Sequence, residues 1–201
     1  MGSYINSKSV SSRDRWALAN LTSGALKAML LALLVYALFW RDSIFAITVG
    51  ACLVLSLVPN LLGRHIWLPL GFDLCCTALL LSHVLFGMTL GLYATSSFYD
   101  KVVHFVGVGL LSWQALKVLD RECVTRKLLL SCRVVVVLVL GFALALGAAW
   151  EIFEFMIDRT GFVVSQPSLS DTMNDLIADA IGGSIPFILR FYFRSRRMLT
   201  T

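Results

Sequence analysis

Three short stretches set ionisable side chains at helical spacing within apolar sequence, and together they could hold a divalent cation and move a proton. Tyr99-Asp100-Lys101-Val102-Val103-His104 puts Asp100 and His104 four residues apart, on one face of a helix. Trp150-Glu151-Ile152-Phe153-Glu154-Phe155-Met156-Ile157-Asp158 carries acids at i, i+3 and i+7, again one stripe. Asp171-Thr172-Met173-Asn174-Asp175-Leu176-Ile177-Ala178-Asp179 repeats an acid at i, i+4 and i+8. Carboxylates are the hard donors that suit Mg²⁺, Mn²⁺ or Ca²⁺, and a histidine among them would also admit Zn²⁺ or Fe²⁺. On this reading Glu151, Glu154, Asp171, Asp175 and Asp179 are metal ligands, with Mg, Mn or Zn as the cofactor. Lys101 holds an anionic group, and His104, beside Asp100, is the general acid or base, since imidazole titrates near neutral pH.

Such residues must be positioned by elements that cross a membrane. Hydrophobic residues make up 58% of the 201 positions and charged residues only 14%. A soluble domain could not hide that much apolar surface. Six segments approach the length needed to cross about 30 Å of hydrocarbon at roughly 1.5 Å per residue. They run over 20 to 40, 44 to 62, 67 to 93, 99 to 119, 133 to 155 and 173 to 193. The fold class expected is therefore all-α, a polytopic transmembrane bundle of six helices. A cytoplasmic segment 1–16 precedes a membrane domain 17–193, and a basic tail 194–201 follows. An acid at the centre of a membrane helix costs about 2.5–3.5 kcal/mol. The acids must therefore face one another, water or a cation, which brings the ends of the last three helices to one site.

Orientation follows from the basic residues, because loops rich in Lys and Arg stay cytoplasmic. With the N-terminus inside, thirteen of the 17 Lys and Arg fall on the inner side, and only Arg41, Lys101 and Arg159 on the outer. Lys27 lies within the first helix, where its stem can snorkel inward. Both termini are thus expected in the cytoplasm, and the acidic stripes at the outer leaflet. The basic balance then reflects topology and anionic lipid, with membrane lipid and not nucleic acid as the partner. The five cysteines match no zinc template and call for no disulfide.

A structural reading competes with the metal site. The acids could form a polar network, with Ser170 or Asp171 capping the last helix. Capping, however, does not account for an acid as deep as Asp179, or for His104 beside Glu151 and Glu154. His83 is either an extra ligand or relay, or one half of an interhelical hydrogen bond. Asp73 is expected to pair with an inner-side Arg or a helix end. Gly107, Gly109, Gly182 and Gly183 are expected to let helices pack closely.

The three motifs, taken in order, resemble those of the YjdF-type inner-membrane proteins, a family of unknown function within the broader VanZ-like group. The likeness rests on Tyr99-Asp100-Lys101 with His104, on Trp150-Glu151-Ile152-Phe153-Glu154-Phe155 with Asp158, and on Asp171-Thr172-Met173-Asn174-Asp175-Leu176 with Gly182. It covers residues 64 to 190. It implies a small bacterial-type protein of the inner membrane with these polar residues at its heart, and it names no reaction. The residues themselves leave two functions open. One is a divalent-metal-dependent enzyme acting on lipid or polyprenyl phosphates, and the other a non-catalytic protein that binds or transports a cation or a cationic amphiphile. Hydrolase and nucleotide-loop motifs are absent from the sequence.

Overall fold

The computed structural model describes residues 11–96, 98–161 and 165–198, and for 194–198 the backbone alone. Among the described residues there are seven helices and no strand, and six helices are long and apolar enough to span a membrane. These are α1 (Ser12–Trp40), α2 (Ser43–Leu62), α3 (Phe72–Ser82, continued as a π-helix over His83–Thr89), α5 (Tyr99–Thr125), α6 (Cys132–Asp158) and α7 (Leu169–Met198). The short α4 (Leu92–Thr95) is too small to cross.

The starts of the helices are written in side-chain caps. Ser11 accepts from the Asp14 amide while Asp14 reaches back to the Ser11 amide, a capping box that opens α1. Asp42 accepts from the Phe45 amide at 2.9 Å and opens α2, and that hydrogen bond holds its carboxyl below the ordinary value of 3.8. Ser131 caps α6 in the same way. Gly71 and Gly91, with φ of 89° and 72°, take the left-handed turns that precede α3 and α4.

Several boundaries differ from the expectation. The first helix begins at Ser12, so the limit drawn at 16/17 falls inside it, because the capping box nucleates α1 before the apolar run starts. The run 67 to 93 is broken. It starts as a helix only at Phe72 and ends at Thr89, where the Leu90 amide bonds the Leu85 carbonyl in the wide i→i+5 pattern. The last helix starts at Leu169, and Ser168, not Ser170 or Asp171, caps it by accepting from the Asp171 amide at 3.2 Å. Its backbone continues as helix to Met198, into what the sequence suggests is a separate tail. Residues 1–10, where the N-terminal cytoplasmic segment was drawn, lie outside the described residues, as do 199–201.

The helices form two groups. In one, α1, α2 and α3 enclose Leu30, Ala37, Phe45, Val49, Cys52, Leu81 and Val84. In the other, α5, α6 and α7 pack around Leu116, Val135 and Val139, and α5 lies along α7. Glycine makes that approach possible. A Cβ at Gly182 would strike the Phe105 backbone, one at Gly183 would strike Ala143, and Gly109 faces the Gly182 carbonyl. Gly107 instead lies against Leu79 of α3. Lys27 turns onto Asp73 at 2.7 Å and so supplies the partner expected from an Arg or a helix end, tying α1 to α3. At the same end Arg190 of α7 meets Asp120 of α5 at 2.5 Å.

Candidate metal centre

The first turn of α5, the last turns of α6 and the first turns of α7 meet at one end of the bundle. Helical spacing brings each motif onto one stripe, and the glycine contacts draw the stripes together. Lys101 pairs with Asp171, with Asp175 at 3.2 Å and with Asp100 at 3.5 Å, so its ammonium is held among three carboxylates. His104 lies one turn deeper. Its Nδ1 is 3.0 and 3.2 Å from the two Asp179 oxygens, and its Nε2 is 3.5 Å from Glu151 Oε1 and 3.8 Å from Asp100 Oδ1.

Depth divides the cluster. His104 and Glu151 are 5% exposed, Asp175 1% and Asp179 0%. Around them Lys101, Asp171 and Asp100 side chains are 24%, 21% and 18% exposed and form a mouth. Among the described residues, one donor atom each from Asp100, His104 and Asp175 lies within 4.8 Å of the others. Glu151 is 3.5 Å from the same histidine nitrogen.

Three buried atoms here have no hydrogen-bond partner, His104 Nε2, Glu151 Oε1 and Asp175 Oδ1, although the last lies 3.2 Å from the Lys101 ammonium. Leaving a buried polar atom unsatisfied costs about 1–3 kcal/mol, and more when it is charged. The contact of Nδ1 with a carboxylate places a proton there, and when the ring is neutral its Nε2 presents a lone pair to the Glu151 and Asp100 oxygens. Lone pairs facing one another at that range need a positive charge between them. Donors about 2.1 Å from a tetrahedral ion stand about 3.4 Å apart. The observed 3.5 and 3.8 Å are of that order. A proton on Nε2 is the other source of that charge, and the imidazolium would then ion-pair with Glu151 and Asp100 at those distances without hydrogen-bonding them.

The residues the sequence brings forward therefore divide. Asp100, His104 and Asp175 bring donor atoms together, and Glu151 meets the group through His104 Nε2. Asp179 stands behind the ring, on the nitrogen opposite, in the place of the carboxylate that orients a metal-bound histidine. Asp171 is occupied by Lys101. Glu154 turns away and accepts from Trp150 Nε1 at 2.9 Å, and it is not in the group of clustered donors. Asp158 leaves the site altogether and accepts from the Ser165 and Gln166 amides at 2.6 and 2.8 Å.

Gln166 escapes sequence reading. Its side chain donates to the Glu151 carbonyl at 2.8 Å and to Oε2 at 2.7 Å, which leaves Oε1 aimed into the site. A glutamine before Pro167 in a loop follows no periodicity, so spacing could not have found it. Trp150 could have been found, since it stands four residues before Glu154. His83 contacts no carboxylate of the cluster. Its Nδ1 is 2.7 Å from the Tyr93 hydroxyl, on α4, and its ring meets Trp150 edge-on. Gly147 is a further omission: a Cβ there would collide with Asp179, so its absence lets that carboxylate reach His104.

Orienting partners of ligands are commonly worth ten- to hundredfold in metal affinity. Gln166→Leu is accordingly expected to weaken divalent-ion binding by about tenfold while the fold survives. Isothermal titration of the two purified proteins with Mn²⁺ measures the difference.

Six apolar helices with a buried carboxylate–histidine cluster make this a polytopic α-helical membrane protein with a candidate cation centre. The family model described as "Predicted membrane protein (DUF2238)" matches residues 22–196, and the chain belongs to that family. The YjdF-type resemblance agrees with this membership. An uncharacterised protein of Thermotoga maritima is 30% identical over 121 residues, which cover 59% of this chain and 60% of that protein. No solved structure matches.

Proposed function

We propose that the chain is a divalent-metal-dependent enzyme of the inner (plasma) membrane, acting on lipid or polyprenyl phosphates at the outer leaflet, with both termini cytoplasmic. The observation that carries this reading is the largely buried group of Asp100, His104 and Asp175, with Glu151 Oε1 3.5 Å from His104 Nε2 and neither of those two atoms hydrogen-bonded. These four residues hold the ion, Mn²⁺ or Zn²⁺ being favoured over Mg²⁺ by the imidazole. Asp179 fixes the tautomer of His104, which places the histidine as a ligand more than as the base. Lys101, engaged by carboxylates, locks α5 to α7 and lends positive charge to the mouth. A divalent ion held by these residues would supply Lewis-acid polarisation of a phosphoryl oxygen and activation of water or an alcohol. In the hydrolytic case the water oxygen bonds to phosphorus as the ester P–O bond breaks, and the water's proton passes through a cluster carboxylate to the leaving alcohol. Asp100 is the carboxylate of the donor set nearest the mouth. Kinship with the broader VanZ-like group belongs to this proposal and rests on the same three motifs.

One observation favours a second reading, the binding or transport of a cation or cationic amphiphile. Five carboxylates, Asp100, Glu151, Asp171, Asp175 and Asp179, stand against Lys101 and His104, so the centre attracts cations whatever chemistry follows. Purified protein in liposomes decides between them. Metal-dependent release of phosphate from undecaprenyl phosphate or pyrophosphate, lost in Asp175→Asn, supports the enzyme. Uptake of Mn²⁺ with no turnover of these substrates supports the transporter and removes the enzyme.

A further inference from the structure

The opposite end of the bundle holds a cavity of about 300 Å³, walled by Trp16, Asn20, Asn60, Trp67, Gly71 and Asp73. Its charged floor is closed. Lys27 donates to both Asp73 oxygens at 2.7 and 2.8 Å and to Asn60 Oδ1 at 2.6 Å, which uses all three ammonium protons. Ser23 adds its hydroxyl to Asp73 at 2.6 Å. The pair is neutral, so net charge at the floor does not select a guest.

The walls do. The side-chain amide of Asn20 makes no hydrogen bond among the described residues, and Asn60 spends only its oxygen, leaving its NH₂ free. Both asparagines are exposed, on helices long and apolar enough to span a membrane. Two free amides at this depth offer hydrogen-bond donors to a polar guest. At the rim, the Arg121 guanidinium lies 4.2 Å above the Trp67 ring, and Trp16 and Trp67 are the amphipathic residues that settle at the lipid head-group level. Unpaired amides next to a guanidinium match a head group that has hydroxyls beyond an anionic phosphate.

We propose that this cavity binds the head group of an anionic phospholipid of the phosphatidylglycerol class. The glyceryl hydroxyls meet the Asn20 and Asn60 amides, and the phosphate meets Arg121. The site is separate from the carboxylate centre, and its occupant enters sideways from the bilayer.

Native mass spectrometry of the full detergent-solubilised chain, titrated with phosphatidylglycerol or phosphatidylcholine, tests this. One phosphatidylglycerol is expected to be retained about tenfold more tightly than phosphatidylcholine, a gain that one or two hydrogen bonds from the amides to the glyceryl hydroxyls can supply. Asn20→Leu is expected to remove that preference, and Arg121→Gln to weaken retention of both lipids. Asn20 has no side-chain partner to lose, so its variant keeps the fold even if Arg121→Gln does not. Asp175→Asn, at the other end, is expected to leave lipid retention unchanged. Equal retention of the two lipids, or a preference that persists in Asn20→Leu, overturns the proposal.

Discussion

Stripped of divalent ions by a chelator, the detergent-purified protein is expected to melt at a lower temperature, and added Mn²⁺ or Zn²⁺ to restore it. The cause is electrostatic. His104 Nε2 and Glu151 Oε1 are buried without hydrogen bonds, Asp100 and Asp175 stand beside the histidine, and among the described residues of the cluster only Lys101, and His104 when protonated, offer positive charge. Without an ion these oxygens repel one another, and some must take up protons. An ion that binds only the folded chain stabilises it by about 2.7 kcal/mol at a hundred times its dissociation constant. Asp175→Asn removes one anionic ligand at nearly constant volume and is expected to melt at the same temperature with or without chelator. Glu154→Gln is the contrasting variant. Its parent carboxylate is bonded to Trp150, so the response to chelator should persist. Scanning calorimetry with elemental analysis of the purified protein provides both readouts. If chelator changes neither melting nor metal content, the cluster is a protonated polar network and the metal assignment falls.

Gly182→Val is expected to be the most destabilising single change outside the charged cluster, by about 3 kcal/mol, at the upper end of overpacking costs. The reason lies in what the new atoms would meet. A Cβ at Gly182 would run into the Phe105 backbone of α5, and backbone cannot swing aside as a side chain can. Relief requires α5 and α7 to separate, which also pulls Lys101 from Asp171 and His104 from Asp179. Loss of ion binding should therefore accompany the loss of stability. Gly141→Ala, where nothing lies within 4 Å, is the control and is expected to leave both unchanged or raise helix stability slightly. Reversible unfolding in mixed micelles with increasing SDS measures the two variants against the parent chain.

The periodicity of the acids foretold more than their partners. Asp100 with His104, and Asp171 with Asp175 and Asp179, do share stripes, because i and i+4 superpose on any α-helix whatever surrounds it. Glu151 and Glu154 also begin on one stripe. A neighbouring indole nevertheless draws Glu154 aside while Gln166, far along the chain, holds Glu151 inward. Rotamer choice answers to neighbours that spacing does not encode. The third span shows the same limit, since its apolar run continues past Thr89 while the backbone widens to a π-helix and turns at Gly91.

By itself, then, the sequence determines that most of this chain lives in lipid, that it crosses as helices, and that three helix ends carry acids which cannot be left facing hydrocarbon. Those are consequences of composition and of the helical repeat, local quantities that each segment carries alone. Which carboxylates face a common point, which one stands behind His104, and which is neutralised by Lys101 were decided only when α5 and α7 closed on Gly182 and Asp179 fitted against Gly147. The distance between two side chains on different helices depends on how near their backbones come, and that is set by the smallest residues at the contact.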